Sequence, residues 1–215
     1  MSEARPQLYY HPHSRAMGCV WMLEEVGVSY DLRFVDFQRG EQRSPELLAL
    51  NAMGKIPVLV DGDAVISESA AIALYLADRY APGDLAPALD DPLRGSYLRW
   101  ILFAPSVIEP AAMAKASGWE APRGSAGWGD YESMVRGVMA ALKDKDGPWL
   151  LGERFSMADV VFGGTLGFML AFNLIDKLPE FEAYVAGLMD RPARQRADKV
   201  NAAELAKLPP PPSAS

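Results

Sequence analysis

The segment 51–80, NAMGKIPVLVDGDAVISESAAIALYLADRY, decides the fold class. Two apolar runs, residues 56–60 and 64–66, flank Asp61-Gly62, a dipeptide that favours the tight turn of a β-hairpin because glycine tolerates positive φ. The apolar positions that follow recur with a helical period and predict a helix ending near Tyr80. The segment therefore predicts an antiparallel hairpin followed directly by a helix.

A strand–helix–strand pattern precedes this segment. Residues 7–10 are β-prone, 15–26 carry an apolar stripe of helical period, and 30–35 alternate like a half-buried strand. Ser44-Pro45 begins a short helix over 46–50, with serine as the N-cap. The first third of the chain thus reads β-α-β-α-β-β-α, a mixed sheet that helices can cover on both faces.

Only helical patterns follow a Pro- and Gly-rich linker at residues 81–89. A long helix over 93–117 contains Pro105 and Pro110, which can kink it. Further helices are predicted from residue 131 to 145 and from 179 to 189.

Residues 155–160, FSMADV, form a typical helix start. Ser156 can cap the first turn while Asp159 bonds back to the Ser156 amide, which makes a capping box. The helix that follows is apolar nearly all round, so we expect it to be buried at the centre of a helical domain.

Composition excludes several classes of protein. The net charge is −7 and there is no basic run, so a nucleic-acid partner is not expected, and an acidic surface disfavours an anionic membrane. No stretch approaches the ~18–20 apolar residues of a membrane span. Cys19 is the single cysteine and no signal peptide is recognisable, so we expect a cytoplasmic protein in a reducing compartment.

Four segments together resemble the cytosolic glutathione transferase family, of bacterial type and unassigned class, from about Leu8 to Arg196. They are LYYHPHSRAMGCVWMLEEVGVSY (8–30), the opening segment 51–80, PWLLGERFSMADVVFG (148–163) and LPEFEAYVAGLMDRPA (178–193). The resemblance implies an α/β thioredoxin-like N-terminal domain plus an all-α C-terminal helical domain. The expected boundaries are 1–81 for the glutathione-binding domain, 90–208 for the helical domain and 209–215 for a disordered tail. A homodimer is also implied.

The resemblance assigns the glutathione site to segment 51–80. In the family, the proline that matches Pro57 follows a cis peptide bond, and Ile56 would pair with the cysteinyl backbone of glutathione like an added strand. Ser69 would hold the γ-glutamyl carboxylate at the N-terminus of a helix, and Glu68 would attract the ammonium group. Lys55 is the candidate for the glycyl carboxylate. From the residues alone, an ordinary trans proline and simple helix-capping residues explain the same pattern.

The reaction that the family catalyses requires glutathione as a thiolate, whereas a free thiol titrates near ~8.5. Ser14, just before the first helix, is the first candidate for the stabilising hydroxyl, although serine is also a common N-cap there. Tyr10, or Tyr9, at the end of the first strand is the alternative donor, and Arg15 can supply positive charge. The sequence leaves the choice between Ser14 and Tyr10 open.

His11 and His13 are the two histidines of the chain. A catalytic zinc site usually has three protein ligands, and no cysteine or carboxylate pattern stands nearby, so no metal is expected. His13 is a candidate for lining the glutathione pocket. Cys19, within the apolar stripe of the first helix, is expected to be a small core residue rather than a nucleophile.

The second substrate, by the resemblance, would be a hydrophobic electrophile bound between the domains against the first helix of the second. The candidate residues by position are Phe103, Ser106, Val107, Glu109, Pro110 and Met113. Trp119 or Trp128 could cover this site. The expected function is glutathione conjugation by thiolate stabilisation, and the alternatives are a binding or carrier protein of the same fold and a glutathione-dependent peroxidase or dehalogenase.

Overall fold

The computed structural model describes residues 5–122, 124–143 and 145–209. The described residues form two compact units, the first made of 5–72 and 192–209 and the second of 73–191. The expected boundaries at residues 81 and 90 stay predictions, because the units are defined by packing and not by independent folding. From residue 210 on, the expected disordered tail lies outside the described residues.

The first unit contains a four-stranded sheet. Its strands are β1 (Gln7–Tyr10), β2 (Asp31–Phe34), β3 (Val58–Asp61) and β4 (Ala64–Ser67), in the order β2-β1-β3-β4. β1 and β2 are parallel, whereas β1–β3 and β3–β4 are antiparallel. This is the mixed sheet that the sequence predicts, and the thioredoxin-like fold class is confirmed.

The hairpin is confirmed, but its turn lies one residue later than predicted. Asp61 is the last residue of β3 and pairs with Ala64, so Gly62 and Asp63 form the turn. Gly62 has φ 59°, and Asp63 is not among the residues with positive φ. Positive φ at the first turn position alone is the pattern of a type II′ turn, whereas Asp-Gly as the two turn residues would favour type I′.

Four α-helices lie wholly or partly in the first unit, and α1 packs against β1. They are α1 (Ala16–Val26), α2 (Pro45–Leu50), the start of α3 (Ser69–Tyr80) and α9 (Pro192–Leu205). α1 ends at Gly27 with φ 68°, as a C′ glycine should, and α2 begins at Ser44, whose Oγ accepts the Leu47 N–H. α1 and α9 pack face to face.

The sequence patterns did not reveal α9. Its buried stripe is Ala193, Ala197 and Asn201, which recur every four residues but carry no large apolar side chain. Two arginines fasten its outer side to α1: Arg194 lies over the Trp21 ring at 5.0 Å, and Arg196 donates to the Glu24 carboxylate at 2.7 Å.

The second unit is helical. It contains the rest of α3 and the helices α4 (Arg94–Phe103), α5 (Glu109–Ala116), α6 (Tyr131–Lys143), α7 (Met157–Ala171) and α8 (Pro179–Met189). None of the helices in the described ranges combines the length and apolar character that a bilayer span requires.

A π-helical segment, Ala104–Ile108, joins α4 to α5 where the sequence predicts kinks. Pro105 lacks an N–H and cannot close the ordinary i→i−4 bond, and the Glu109 N–H donates to the Ala104 carbonyl five residues earlier. The prolines therefore widen one turn and the chain stays helical.

The capping box of α7 is confirmed. The Ser156 Oγ accepts the Ala158 N–H at 3.3 Å, and the Ser156 N–H donates to Asp159 at 3.0 Å. Asp159 is fully buried and also accepts from the Leu150 N–H and the Tyr184 hydroxyl. α7 is therefore anchored at its N-terminus by a buried, well-bonded carboxylate.

Candidate functional site

Three loops of the first unit meet at one end of the sheet. β1 ends at Tyr10, and Tyr9 pairs with Val58, the first residue of the antiparallel β3. Val58 in turn pairs with Ser67, the last residue of β4. This register places at the same end the segments 11–15, 55–57 and 68–69, which contain the predicted glutathione and thiolate residues of the first unit other than Tyr9 and Tyr10.

Ser14 lies at the N-terminus of α1. Its hydroxyl donates to the His11 carbonyl at 2.7 Å, and its Oγ accepts the Ala16 N–H at 3.2 Å. Arg15 occupies the N-cap position without a side-chain cap, and the first turn of α1 contains no acidic residue. Ser14, one residue before the N-cap position, therefore supplies the capping hydrogen bond. No carboxylate in the first turn of α1 neutralises the partial positive charge of this helix end.

His11 shapes the turn that carries Ser14. Its Nδ1 accepts the His13 N–H at 3.0 Å, and its ring stacks on Phe37 with centroids 4.2 Å apart. Burial, and then the proximity of His13, lower the pKa of His11, while Asp36 opposes them. His11 is a buried neutral part of the turn, whereas the His13 side chain is exposed.

Tyr10 has a different environment. It is fully buried, and its hydroxyl donates to Asn201 Oδ1 of α9 at 2.8 Å. Burial raises the pKa of Tyr10 to about 12. The hydroxyl of Tyr9 donates to the Glu46 carboxylate at 3.0 Å. Each tyrosine hydroxyl thus has a protein partner on another element.

The second loop contains Lys55, Ile56 and Pro57. The peptide bond before Pro57 is cis, as the resemblance implied. Asn51 orders the approach to it, because its Nδ2 donates to the Lys55 carbonyl at 2.9 Å. Gly54 has φ 60°, and a Cβ there would lie 3.0 Å from the Gln42 carbonyl, so glycine is required. Lys55 is exposed and Ile56 half-buried.

The third loop places Glu68 and Ser69 at the start of α3. Glu68 has φ 67°, and a non-glycine residue in this left-handed region costs about 1 kcal/mol or more. Its carbonyl accepts the Ile72 N–H at 2.9 Å, and its side chain is exposed. Ser69 hydrogen-bonds the buried sulfur of Cys19. Burial raises the pKa of the Cys19 thiol to about 12. Backbone strain of this kind is concentrated at ligand-binding sites.

The residues predicted for a second substrate lie in the second unit, on one continuous helical stretch that includes the π-helical segment and α5. Phe103 is half-buried, edge-on to Trp100 with ring centroids 5.4 Å apart. Ser106 and Met113 are exposed, and the remaining three are partly exposed: Val107, Glu109 and Pro110. The rings of Trp119 and Trp128 lie 5.7 Å apart. Within the described ranges, no group of three or more His, Cys, Asp or Glu side chains could hold a metal ion.

Residues 6–78 match the family model described as glutathione S-transferase, N-terminal domain. Glutathione S-transferase 1 of Schizosaccharomyces pombe is 32% identical over 175 residues, which cover 72% of each chain. The chain belongs to the glutathione S-transferase family.

Solved structures agree with this assignment. The glutathione transferase of Methylococcus capsulatus is 29% identical, with a TM-score of 0.75 over 92% of this chain and 99% of its own. The glutathione transferase of Pseudomonas putida is 27% identical, with a TM-score of 0.72 over 91% of each chain, and that structure holds one glutathione disulfide per subunit. The fold of this family member is thus shared along nearly its whole length.

The sequence does not predict two of the hydrogen bonds around the candidate site. Asn201 lies 191 residues from Tyr10 in the sequence, and no local pattern signals their hydrogen bond. The role of His11 in the turn had a weak signal, since a side-chain acceptor that bonds the N–H two residues later is typical of tight turns.

Proposed function

We propose that this member of the glutathione S-transferase family conjugates reduced glutathione to hydrophobic electrophiles, as in detoxification, and that Ser14 stabilises the thiolate. The position of the Ser14 hydroxyl at the N-terminus of α1 carries the proposal. In its present position, Oγ accepts an amide hydrogen from the helix while its own proton rests on a carbonyl that can give it up.

Ser14 is suited to this role by its freedom to redirect one proton. When a thiol arrives, the hydroxyl proton can turn from the His11 carbonyl to the sulfur, while Oγ keeps the Ala16 N–H. The helix dipole, together with Arg15 beside it, favours the anion over the thiol. Tyr10 would have to give up a buried bond to Asn201 first, so we assign the role to Ser14.

The rest of glutathione would follow the end of the sheet. The Ile56 backbone would pair with the cysteinyl residue, Ser69 would bind the γ-glutamyl carboxylate and Glu68 the ammonium group. Lys55 would reach the glycyl carboxylate, and His13 would line the pocket. The convergence of three loops and the strained backbone of Glu68 support this arrangement.

The electrophile would contact the helical stretch of the second unit. The proposed contacts are Phe103, Ser106, Val107, Glu109, Pro110 and Met113. An apolar, partly exposed surface such as Met113, which is 46% exposed, suits a hydrophobic co-substrate. We propose a homodimer as the assembly.

The decisive experiment compares wild type with Ser14→Ala and with a control, Ser96→Ala, an exposed serine of α4. Glutathione is titrated calorimetrically, the ultraviolet thiolate band is followed against pH, and turnover of an aromatic electrophile is measured. We expect Ser14→Ala to bind glutathione but to lose the lowered thiol pKa and turnover, whereas Ser96→Ala matches wild type.

Other outcomes separate the alternatives. If wild type binds glutathione without lowering its thiol pKa, the protein is a binding or carrier protein. If the thiolate forms but only peroxide or a halogenated substrate is turned over, the peroxidase or dehalogenase assignment replaces conjugation. Full activity in Ser14→Ala would exclude Ser14 as the activating group.

A further inference from the structure

His11 closes the turn over residues 11–14 with three hydrogen bonds. The His11 carbonyl accepts both the Ser14 amide, at 3.1 Å, and the Ser14 hydroxyl, at 2.7 Å. Its ring nitrogen Nδ1 accepts the His13 amide at 3.0 Å. The His11 carbonyl therefore holds the backbone and the hydroxyl of Ser14, and the His11 side chain holds the residue between them, His13.

The ring of His11 is itself held in place. It stacks on Phe37 and is tilted against Phe34 with centroids 5.3 Å apart, and only 7% of the residue is exposed. Because a backbone N–H can only donate, Nδ1 must be the unprotonated nitrogen of the imidazole. The stacking therefore orients the ring so that the lone pair of Nδ1 points at the His13 amide.

We propose that His11 is a positioning residue for catalysis, acting through Ser14: its Nδ1 acceptor holds the turn that places the Ser14 hydroxyl against the thiolate. This rests on the proposed role of Ser14. His11 need not touch glutathione, because its effect is transmitted by the two bonds to its carbonyl. Misplacing a reacting group by about 1 Å can cost on the order of a hundred-fold in rate.

Protonation of His11 would disrupt the turn. An imidazolium donates from both nitrogens, so Nδ1 could no longer accept the His13 N–H. The titratable and charged groups that face His11 are His13, from the same loop, and Asp36, which is paired with Arg39 at 3.5 Å. Burial and His13 lower the pKa of His11 and Asp36 raises it, with a net lowering, so the neutral form is retained at neutral pH and lost at acidic pH.

Two variants separate the nitrogen from the ring. His11→Phe keeps an aromatic ring for stacking on Phe37 but removes the acceptor. His11→Asn loses the ring but keeps an oxygen that can accept the N–H two residues later, as asparagine does in turns. We expect His11→Phe to lower kcat about ten- to a hundred-fold and to raise the thiol pKa of bound glutathione, with little change in glutathione affinity. His11→Asn should restore most of kcat.

The pH profile gives a second, independent test. In wild type, log kcat/KM should fall at low pH with a slope approaching two, since both the thiolate and neutral His11 are lost. In His11→Asn the slope should be one, because only the thiol titrates. This test holds even if His11→Phe does not fold, which thermal melting of each variant reveals.

The double variant His11→Phe/Ser14→Ala distinguishes failure of this inference from failure of the proposed function. If His11 acts through Ser14, the double variant should have the same activity as Ser14→Ala alone. Wild-type kcat in folded His11→Phe, or a slope of two in His11→Asn, would overturn the role of His11 while leaving Ser14 intact. An effect of His11→Phe that persists undiminished in the Ser14→Ala background would likewise overturn it. Full activity in Ser14→Ala would instead contradict the proposed function itself.

Discussion

Two hydroxyl groups four positions apart, those of Tyr10 and Ser14, have opposite environments. Tyr10 is inside the core with its proton committed to Asn201, and burial raises its pKa to about 12. Ser14 is half-buried at a helix end, and its proton rests on a carbonyl that has a second donor, the Ser14 amide. The same functional group is therefore bonded inside the core at one position and partly exposed at a helix N-terminus at the other.

Tyr10→Phe tests that contrast. The change leaves the buried side-chain oxygen of Asn201, Oδ1, without its hydrogen-bond donor, which should lower the free energy of unfolding by about 1–3 kcal/mol. The thiol pKa of bound glutathione should stay as in wild type. Denaturant unfolding and the ultraviolet thiolate band measure the two effects. Tyr9→Phe is the matched control, since the Tyr9–Glu46 bond is exposed and should contribute about 1 kcal/mol or less. A thiol pKa that rises in Tyr10→Phe would return Tyr10 to the list of activating groups.

Cys19 should be chemically silent in the folded protein. It is fully buried, and burial raises the pKa of its thiol to about 12, so almost no thiolate is present at neutral pH. We expect a thiol-reactive dye to label the native protein far more slowly than the unfolded chain, which should take up one equivalent. Rapid labelling of native protein, with circular dichroism unchanged, would contradict this environment.

At the scale of elements, α7 depends on its buried capping carboxylate. Asp159→Ala would leave the Leu150 and Ser156 amides and the Tyr184 hydroxyl without their acceptor, each at a cost of about 1–3 kcal/mol. We expect a loss of at least about 3 kcal/mol in the free energy of unfolding, or failure to fold.

Ser156→Ala removes the N-cap hydroxyl of the same helix and should lower the free energy of unfolding by about 1 kcal/mol, less than Asp159→Ala. The control is Asp198→Ala on α9, whose partly exposed pair with Arg194 should contribute only about 0.3–0.5 kcal/mol. Urea unfolding of the three variants should rank them in that order, and equal effects of Asp159→Ala and Asp198→Ala would contradict the buried role.

The packing of α9 on α1 can be tested through the size of one alanine. Ala197 is fully buried in the stripe of α9, so Ala197→Leu should overpack the interface and destabilise the protein by about 1–3 kcal/mol. Ala202→Leu, on the exposed side of the same helix, carries the same change in volume and helix propensity. Thermal melting should separate the two variants, and identical melting temperatures would mean that α9 is not docked in solution.

The sequence predicts those features of the fold that depend on residues close together in the chain. The hairpin, the helix starts at Ser44 and Ser156 and the glycine that ends α1 are set by neighbours within a few residues, and all are confirmed. The turn of the hairpin was wrong by one residue, because Asp-Gly fits two turn types that differ in register. α9 was not predicted because small residues can form a buried stripe without any hydrophobic period.

At the scale of the whole molecule, glutathione should stabilise the fold by binding the native state alone. At a free glutathione concentration a hundred times its Kd, the free energy of unfolding should rise by about 2.7 kcal/mol, which corresponds to an increase in Tm of roughly 5–10 °C for a chain of this length. Differential scanning calorimetry with and without glutathione measures it. Ser69→Ala should reduce the shift, and Ser96→Ala should retain it. An unchanged Tm at saturating glutathione would contradict the proposed site.

The sequence could predict that the candidate loops meet at one end of the sheet, but it could not predict the hydrogen bonds within them. The order of strands brings the loops at 11–15, 55–57 and 68–69 to one end of the sheet once the hairpin and the strand–helix–strand unit are recognised. Whether the Tyr10 hydroxyl is bonded inside the core depends on Asn201, and that partner comes from an element at the far end of the sequence. Tertiary contacts of this separation leave no trace in a local pattern.

The discontinuity of the first unit has a consequence for biosynthesis. α9 follows all of residues 73–191 in the chain, so it leaves the ribosome only after the second unit has been made. Until then, Tyr10 lacks its partner and the face of α1 that α9 covers stays exposed to solvent or to a chaperone. Domains commonly fold in order of synthesis, but this one cannot be completed first. Its final closure is the joining of segments more than 170 residues apart, as in the bond from Arg196 to Glu24.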